Sequence, residues 1–330
     1  MKDKKRIFSG IRATGRLHIG NYLGMVKGML ELQNDEKYEL FFAVVDGHAM
    51  TTPYDKETLA QKTREVVLDY LAVGMDPEKS SILVQSKVMD LHAELMFYFS
   101  TVMTVARMQH LPTFKEKVKQ YPENVTMALL NYPVLMAADI LIYKGELVPV
   151  GVDQEPHLEV AREVARKMNK QYGMDFPEPK RFATKGEHVS SLLGEGKMSK
   201  SVEGSYINLT DNLETIKKKV AKIPTDSGKG TRMGIEDSMF GVLSFVELFQ
   251  GKKRADEYRK IYVNEGIRYG DLKKELAEAI YKELEPIQKR RKELENKPEY
   301  VDKVIEEGAQ KARKLAKKTL EEVREKMGLI

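Results

Sequence analysis

The chain has no cysteine and no tryptophan among its 330 residues. The missing thiol excludes disulfides, zinc–cysteine sites and cysteine-held iron–sulfur clusters together, and it fits the reducing cytoplasm. No run of eighteen apolar residues occurs, so no transmembrane helix is predicted. The opening MKDKKRIFSG is basic but lacks the apolar stretch that a secretory signal carries behind its charges. Neither sign of charge dominates. With 55 Lys and Arg against 50 Asp and Glu the net charge is +5, which allows a polyanionic partner without demanding one. Low-complexity tracts and fixed-period repeats are absent too.

What is present supports a core: 42% of residues are hydrophobic, and the length suits one large domain with a smaller one, or two domains. Four apolar runs, at 6–9, 38–46, 80–86 and 146–151, read as buried strands. Each is followed by a segment of helical period, at 20–33, 56–73, 91–108 and 154–170. This alternation predicts an α/β fold built on a Rossmann-type parallel sheet covered on both faces. From about Asp211 the strand signals stop. Lys- and Glu-rich segments take over, with Val304, Ala309, Ala312, Leu315, Ala316 and Leu320 at helical spacing. The expected division is a catalytic domain over 1–210 and a helical domain over 211–330, the latter with basic clusters at 289–292 and 311–318.

Parallel sheets take their ligands outside the carboxyl ends of the strands. Polar residues gather at all four ends here: GRLHIGN after the first run, Asp46-Gly47-His48 after the second, Gln85-Ser86 after the third and Gly151-Val152-Asp153-Gln154 after the fourth. In GRLHIGN, Gly20 opens a helix whose free N–H groups suit phosphate. His18 can donate to a phosphoryl oxygen, and Asn21 adds an uncharged donor. The segment GEGKMSKS, residues 194–201, sets Lys197 and Lys200 three apart with hydroxyls at Ser199 and Ser201. Two such ammoniums can clamp a triphosphate and stabilise a departing pyrophosphate. A third segment, YPVLMAADILIY, reads as a helix beginning near Pro133, with Met136 and Asp139 on one face. A carboxylate among apolar residues needs a donor. An indole N–H is a donor only, and a phenol O–H also donates, so residue type leaves both open. Phe8, Val45, Val148 and Val150 are candidate apolar walls, and Met136 a polarizable contact for an aromatic ring.

HIGN followed by KMSKS resembles the paired signatures of the class I aminoacyl-tRNA synthetases. Together with FSGIRATGRLHIGNYLG, VVDGHAMTT, YPVLMAADILIY and VPVGVDQEPHLE, they make nearly the whole chain similar to the bacterial-type tryptophanyl-tRNA synthetases. The resemblance implies activation of L-tryptophan by ATP with Mg2+, giving tryptophanyl-adenylate and pyrophosphate, then transfer to the 3′ end of tRNA(Trp). It assigns His18, Asn21, Lys197 and Lys200 to catalysis. Arg12, Gly20, Lys117, Asp153, Met198 and Ser199 join those four in binding ATP. Phe8, Val45, His48, Tyr132, Met136, Asp139, Val148, Val150 and Gln154 would hold tryptophan, with Tyr132 and Gln154 on its ammonium group. It further implies a homodimer, an anticodon-binding role for the helical domain, a cytoplasmic location without membrane contact, and no metal held by protein side chains.

Three positions depart from the family pattern: Ala13 stands for a frequent proline, Arg12 for a glutamine and Val152 for a glutamate. Some relatives bind an iron–sulfur cluster near the C-terminal domain; a chain without cysteine does not. Tyrosyl-tRNA synthetase, a small-molecule nucleotidyltransferase and an inactive tRNA-binding paralogue are the alternative readings. His157 reads as packing or surface, and His92, His110 and His188 show no metal-ligand spacing.

Overall fold

The computed structural model describes residues 4–183, 189–194, 196, 198–200, 202–226, 228 and 240–330. Along the chain, β1 (Lys5–Arg12) leads to α1 (Ile19–Asn21), a π-helical segment (Tyr22–Val26) and α2 (Lys27–Gln33). β2 (Tyr38–Val45) leads to α3 (Asp46–Ala49) and α4 (Leu59–Ala72). β3 (Ser80–Val84) is followed by α5 (Met89–Ser100), α6 (Val105–Gln109), α7 (Pro112–Gln120) and α8 (Met127–Leu141). Then come β4 (Leu147–Pro149), α9 (Glu155–Tyr172) and β5 (Lys180–Phe182). Beyond these lie α10 (Leu213–Ala221), α11 (Phe240–Gln250), α12 (Lys252–Asn264), α13 (Tyr269–Glu295) and α14 (Pro298–Lys326).

The chain divides into two compact units, which do not follow the expected boundary at residue 210. One comprises residues 1–15, 27–184 and 294–330, the other 16–26 and 185–293. In the first unit all five strands are parallel, in the order β3-β2-β1-β4-β5. Successive strands add to one side up to β3, and β4 then returns to the other side of β1. The carboxyl ends of β1 and β4 therefore flank the point where the strand order reverses, the place where such sheets open a ligand crevice. Ser9 Oγ donates to the Pro149 carbonyl at 2.6 Å across this pair. Beneath it, the buried Tyr143 ring stacks on Phe41 and Phe8 at centroid distances of 4.7 and 5.6 Å.

Four of these strands match the apolar runs. The fifth, Lys-Arg-Phe, has no apolar run to betray it and takes its place by pairing with β4. The single helix expected over 91–108 is two, because Thr104 caps a new start by accepting from the Arg107 N–H. The helix expected from Pro133 starts at Met127 under a Thr126 cap, so Pro133 sits inside α8. Its missing N–H removes one bond, to the Leu129 carbonyl, and the helix tolerates this deep within the apolar core.

The tail helix α14 belongs to the first unit, where it packs on β3, α4 and α5. A Cβ added at Gly308 would fall on the Ile82 carbonyl oxygen, so helix and edge strand approach backbone to backbone. Val301, Val304, Ala309, Ala312, Ala316, Leu320 and Val323 are buried there. Arg313 forks onto Asp90 at 2.6 and 2.8 Å and donates to the Lys87 carbonyl. Lys311 donates to the Pro77 carbonyl, and Arg324 pairs with Glu94. Part of the basic run at 311–318 thus docks the helix instead of facing a polyanion.

In the second unit, residues 17–19 pair with 207–209: Ile19 N–H donates to Ile207 O and Leu209 N–H to Leu17 O, both at 2.9 Å. On α13, Gln288 donates to the Leu209 and Asp211 carbonyls, and Glu283 accepts from the Tyr22 hydroxyl.

Candidate active site

Asp139 lies on α8 in the first unit and is 1% exposed. Its Oδ1 accepts from Gln85 Nε2 at 2.7 Å and from His92 Nδ1 at 2.6 Å, and its Oδ2 accepts from His48 Nε2 at 2.8 Å. Burial drives the carboxyl upward, but the bonds and charges of His48 and His92 outweigh it and hold it well below the usual carboxylate range. The ionised acceptor fixes His92 Nδ1 as a donor, and His92 Nε2 lies 2.7 Å from the Tyr143 hydroxyl. A carboxylate offers about four acceptor positions. Three are taken, and the one left, on Oδ2, suits a single N–H or O–H donor. Phe8, Val45, Val148 and Val150 lie in the same apolar cluster as α8, with Met136 packed against it.

His48 connects this end to a second polar group. Its ring meets Tyr132 edge-on, at 6.3 Å between centroids. The Tyr132 hydroxyl lies 2.7 Å from His157 Nε2, with Thr113 Oγ1 2.9 Å from the same nitrogen. His157 Nδ1 is 2.9 Å from Gln154 Oε1, and Gln154 Nε2 donates to Asp153 Oδ2 at 2.6 Å. Buried to 4% exposure, His157 is no surface group. Burial, reinforced by the nearby His48, pushes its pKa down to about 4, with Asp153 opposing.

That shift has a pH signature. The unfolded imidazole takes a proton near 6.5 and the folded one only near 4, so the unfolded chain binds more protons between these values. Stability should fall as pH drops from 6.5 towards 4. The Asp139 contribution, present above its unfolded value of 3.8, is lost only below that window. Urea unfolding between pH 7 and 4.5 checks this: His157→Gln should flatten the slope, and an unchanged slope would contradict it.

At the end of β1, the half-buried Arg12 donates to Thr52 Oγ1 at 2.8 Å, and its buried Nε has no hydrogen-bond partner among the described residues. Burial pushes the guanidinium pKa down, with Tyr121 and Tyr132 opposing. Lys117, held by Gln120 Oε1, is lowered by burial and then by the charge of Arg12. Neither cation is ion-paired among the described residues, and together they favour an anion.

In the second unit, His18 and Asn21 form a reciprocal cap. His18 N–H donates to Asn21 Oδ1 and Asn21 N–H to His18 Nδ1, each at 3.3 Å. With Nδ1 accepting, the ring proton of a neutral His18 sits on Nε2. A Cβ on Gly20 would lie 2.9 Å from His18 Cε1 and 3.2 Å from Met198 Cβ, so only glycine lets these motifs meet. Met198 is buried, its N–H bonded to Val189 O at 3.0 Å, which anchors the segment bearing the half-buried Ser199 and Lys200. Lys197, Ser201 and His188 lie outside the described residues.

Sequence reasoning missed His92 as a partner of Asp139 and His157 as a partner of Tyr132. For His157 a signal existed: it stands three residues after Gln154, one helical turn on. For His92 there was none, since β3 and α8 meet it only through the fold.

A family model described as tRNA synthetases class I (W and Y) matches residues 1–285. A tryptophan–tRNA ligase of Porphyromonas gingivalis is 41% identical over 329 residues, 98% of each chain. One of Caldanaerobacter subterraneus subsp. tengcongensis is 42% identical over 332 residues, 99% of each. The structure of tryptophanyl-tRNA synthetase from Campylobacter jejuni complexed with ADP and tryptophan matches with a TM-score of 0.85 at 32% identity, over 98% of this chain and 99% of that one. A tyrosyl-tRNA synthetase from Archaeoglobus fulgidus, at 20% identity and a TM-score of 0.70 over 88% and 91% of the two chains, shares the fold.

Proposed function

The chain belongs to the class I tRNA synthetases of the tryptophan and tyrosine group, and from that membership we infer that it is a tryptophan–tRNA ligase. The tryptophan carboxylate attacks the α-phosphorus of ATP. A P–O bond forms, the bond to the β-phosphate breaks, and pyrophosphate leaves. The tryptophanyl group then passes to a ribose hydroxyl at the 3′ end of tRNA(Trp), with AMP as the leaving group.

The observation that carries the reading is the single acceptor position left on buried Asp139. An indole N–H, which donates once and accepts nothing, suits it. Phe8, Val45, Met136, Val148 and Val150 wall the ring, and His48 orients the carboxylate. Tyr132 and Gln154 take the ammonium. A phenol would also donate to Asp139; the similarity of about 40% to tryptophan enzymes over nearly the full length favours indole.

Arg12 and Lys117 draw the phosphates and Asp153 lines the ribose region. His18, Asn21, Lys200 and Lys197 bind the phosphates and stabilise the charge that develops as pyrophosphate departs. Gly20 admits the adenine, with Met198 and Ser199 beside it. Magnesium bound with ATP would offset phosphate charge, and the cationic side chains named here fit a phosphate chain. No group of three or more His, Cys, Asp or Glu among the described residues is placed to hold a metal ion.

For tRNA, the exposed Lys289, Arg290 and Lys292 on α13 are the proposed contacts, while the tail helix α14 serves the first unit. Phe97, Val105 and Met127 on α5, α6 and α8 are 67%, 57% and 73% exposed, and a second copy of the chain is the proposed cover in a homodimer. No helix among the described residues is long and apolar enough to cross a membrane, and the proposed location is the cytoplasm.

Charging of a tRNA(Trp) transcript with labelled tryptophan tests the reading. His18→Ala should lower the rate of adenylate formation on the order of 10²- to 10³-fold, with tryptophan affinity by equilibrium dialysis nearly unchanged. His18→Asn keeps a capping side chain and controls for the helix start. Lost tryptophan binding with unchanged turnover would overturn the assignment.

A further inference from the structure

His157 has no role in the reading above, yet it contacts Gln154, Tyr132 and Thr113 at the amino-group end of the pocket. The Gln154 amide is oriented by Asp153: a carboxylate accepts only, so Nε2 faces it at 2.6 Å and Oε1 faces His157. His157 Nδ1 must then carry the ring proton and donate to Gln154 Oε1 at 2.9 Å. This leaves Nε2 with one lone pair facing two hydroxyls, Tyr132 at 2.7 Å and Thr113 Oγ1 at 2.9 Å, and the more acidic phenol at the shorter distance gives it the proton. Thr113 Oγ1 completes the group beside the same nitrogen. All five residues lie in the first unit.

We propose that His157 is the positioning residue that holds Tyr132 and Gln154 as acceptors, and so makes this end of the pocket select a primary ammonium. The inference rests on the reading that Tyr132 and Gln154 take the ammonium. An ammonium offers donors and no acceptor. With its own proton given to His157, the Tyr132 oxygen can only accept from a ligand. Gln154 Oε1 keeps a second lone pair after accepting from Nδ1, and its amide is pinned by Asp153 against turning its NH2 outward. The reverse tautomer, or a charged ring, would turn the Tyr132 proton towards the ligand and set like against like. Burial keeps His157 neutral at working pH, which removes a positive charge from beside a cationic ligand.

The test compares L-tryptophan with indole-3-propionate, the same skeleton without the amine, as ligands of the full-length protein by calorimetry. His157→Phe should weaken tryptophan about 10- to 100-fold, the loss of charge-assisted hydrogen bonding. Indole-3-propionate should stay within about twofold, and His157→Gln, which can both donate and accept, should recover part of the difference. If His157→Phe does not fold, the same ratio read on His157→Gln and His157→Asn decides. Equal weakening of both ligands, or of neither, overturns the proposal. Tyr132→Phe and Gln154→Ala run in parallel. If they leave the ratio untouched, the ammonium assignment itself fails. If they collapse it while the His157 variants do not, that assignment stands and the role of His157 falls.

Discussion

Asp139→Ala should cost about 3–5 kcal/mol of stability, the range for removing one partner of a buried charged network, and lower kcat/KM for tryptophan at least 10- to 100-fold, the loss of one hydrogen bond to a charged group. The stability loss arises because Gln85 Nε2, His92 Nδ1–H and His48 Nε2–H all donate to this one carboxylate. With it gone, three buried donors lose their acceptor at once. His92 also loses the bond that orients its ring against the Tyr143 hydroxyl, itself buried in the stack with Phe8 and Phe41. Asp139→Asn should rescue little, since its NH2 would turn a donor towards donors. Urea unfolding reads the first effect and steady-state activation kinetics the second. A variant with wild-type stability and wild-type kcat/KM would remove Asp139 from the centre of the pocket.

A chain ended before Pro298 should fail to activate any amino acid, although every residue assigned to ATP and tryptophan would remain. Val301, Val304, Leu320 and Val323 are buried on α14. At about 1.5–3 kcal/mol each, they amount to roughly 6–12 kcal/mol, comparable to the stability of a whole domain. Arg313, Lys311 and Arg324 add polar ties, but these are partly exposed and of small worth beside the burial. Gly308→Leu is the milder probe. Its side chain would enter the space of the Ile82 carbonyl, at a cost of roughly 1–3 kcal/mol or more, without touching any charged residue. Intact amino-acid activation in the shortened chain, with only tRNA charging lost, would instead make α14 a separable tRNA-binding module.

These two results bear on how far the fold could be read from sequence. Strands with continuous apolar runs, such as Tyr38–Val45 and Ser80–Val84, announced themselves because a sheet buried on both faces needs such runs. The polar ends of β1, β2, β3 and β4 pointed to a ligand crevice, and Arg12, His48, Gln85 and Gln154 stand there. The Lys- and Glu-rich texture of 298–326 reads the same whether the helix faces solvent or docks on a sheet. The backbone approach of Gly308 to Ile82 and the reach of Arg313 to Asp90 tell them apart, and no local pattern encodes those contacts. The network around Asp139 was hidden for a similar reason. Apolar neighbours signalled that the carboxylate needed a donor, but its donors come from positions 48, 85 and 92, which only the fold brings to position 139.

The most direct measurement is ATP–pyrophosphate exchange by the purified protein with magnesium and each amino acid in turn, before any tRNA is added. Exchange with tryptophan far above tyrosine is the predicted result, and it would report adenylate chemistry and the indole pocket in one assay. Exchange with tyrosine in its place would contradict the assignment of Asp139 to an indole N–H, and silence with every amino acid would contradict the ligase itself.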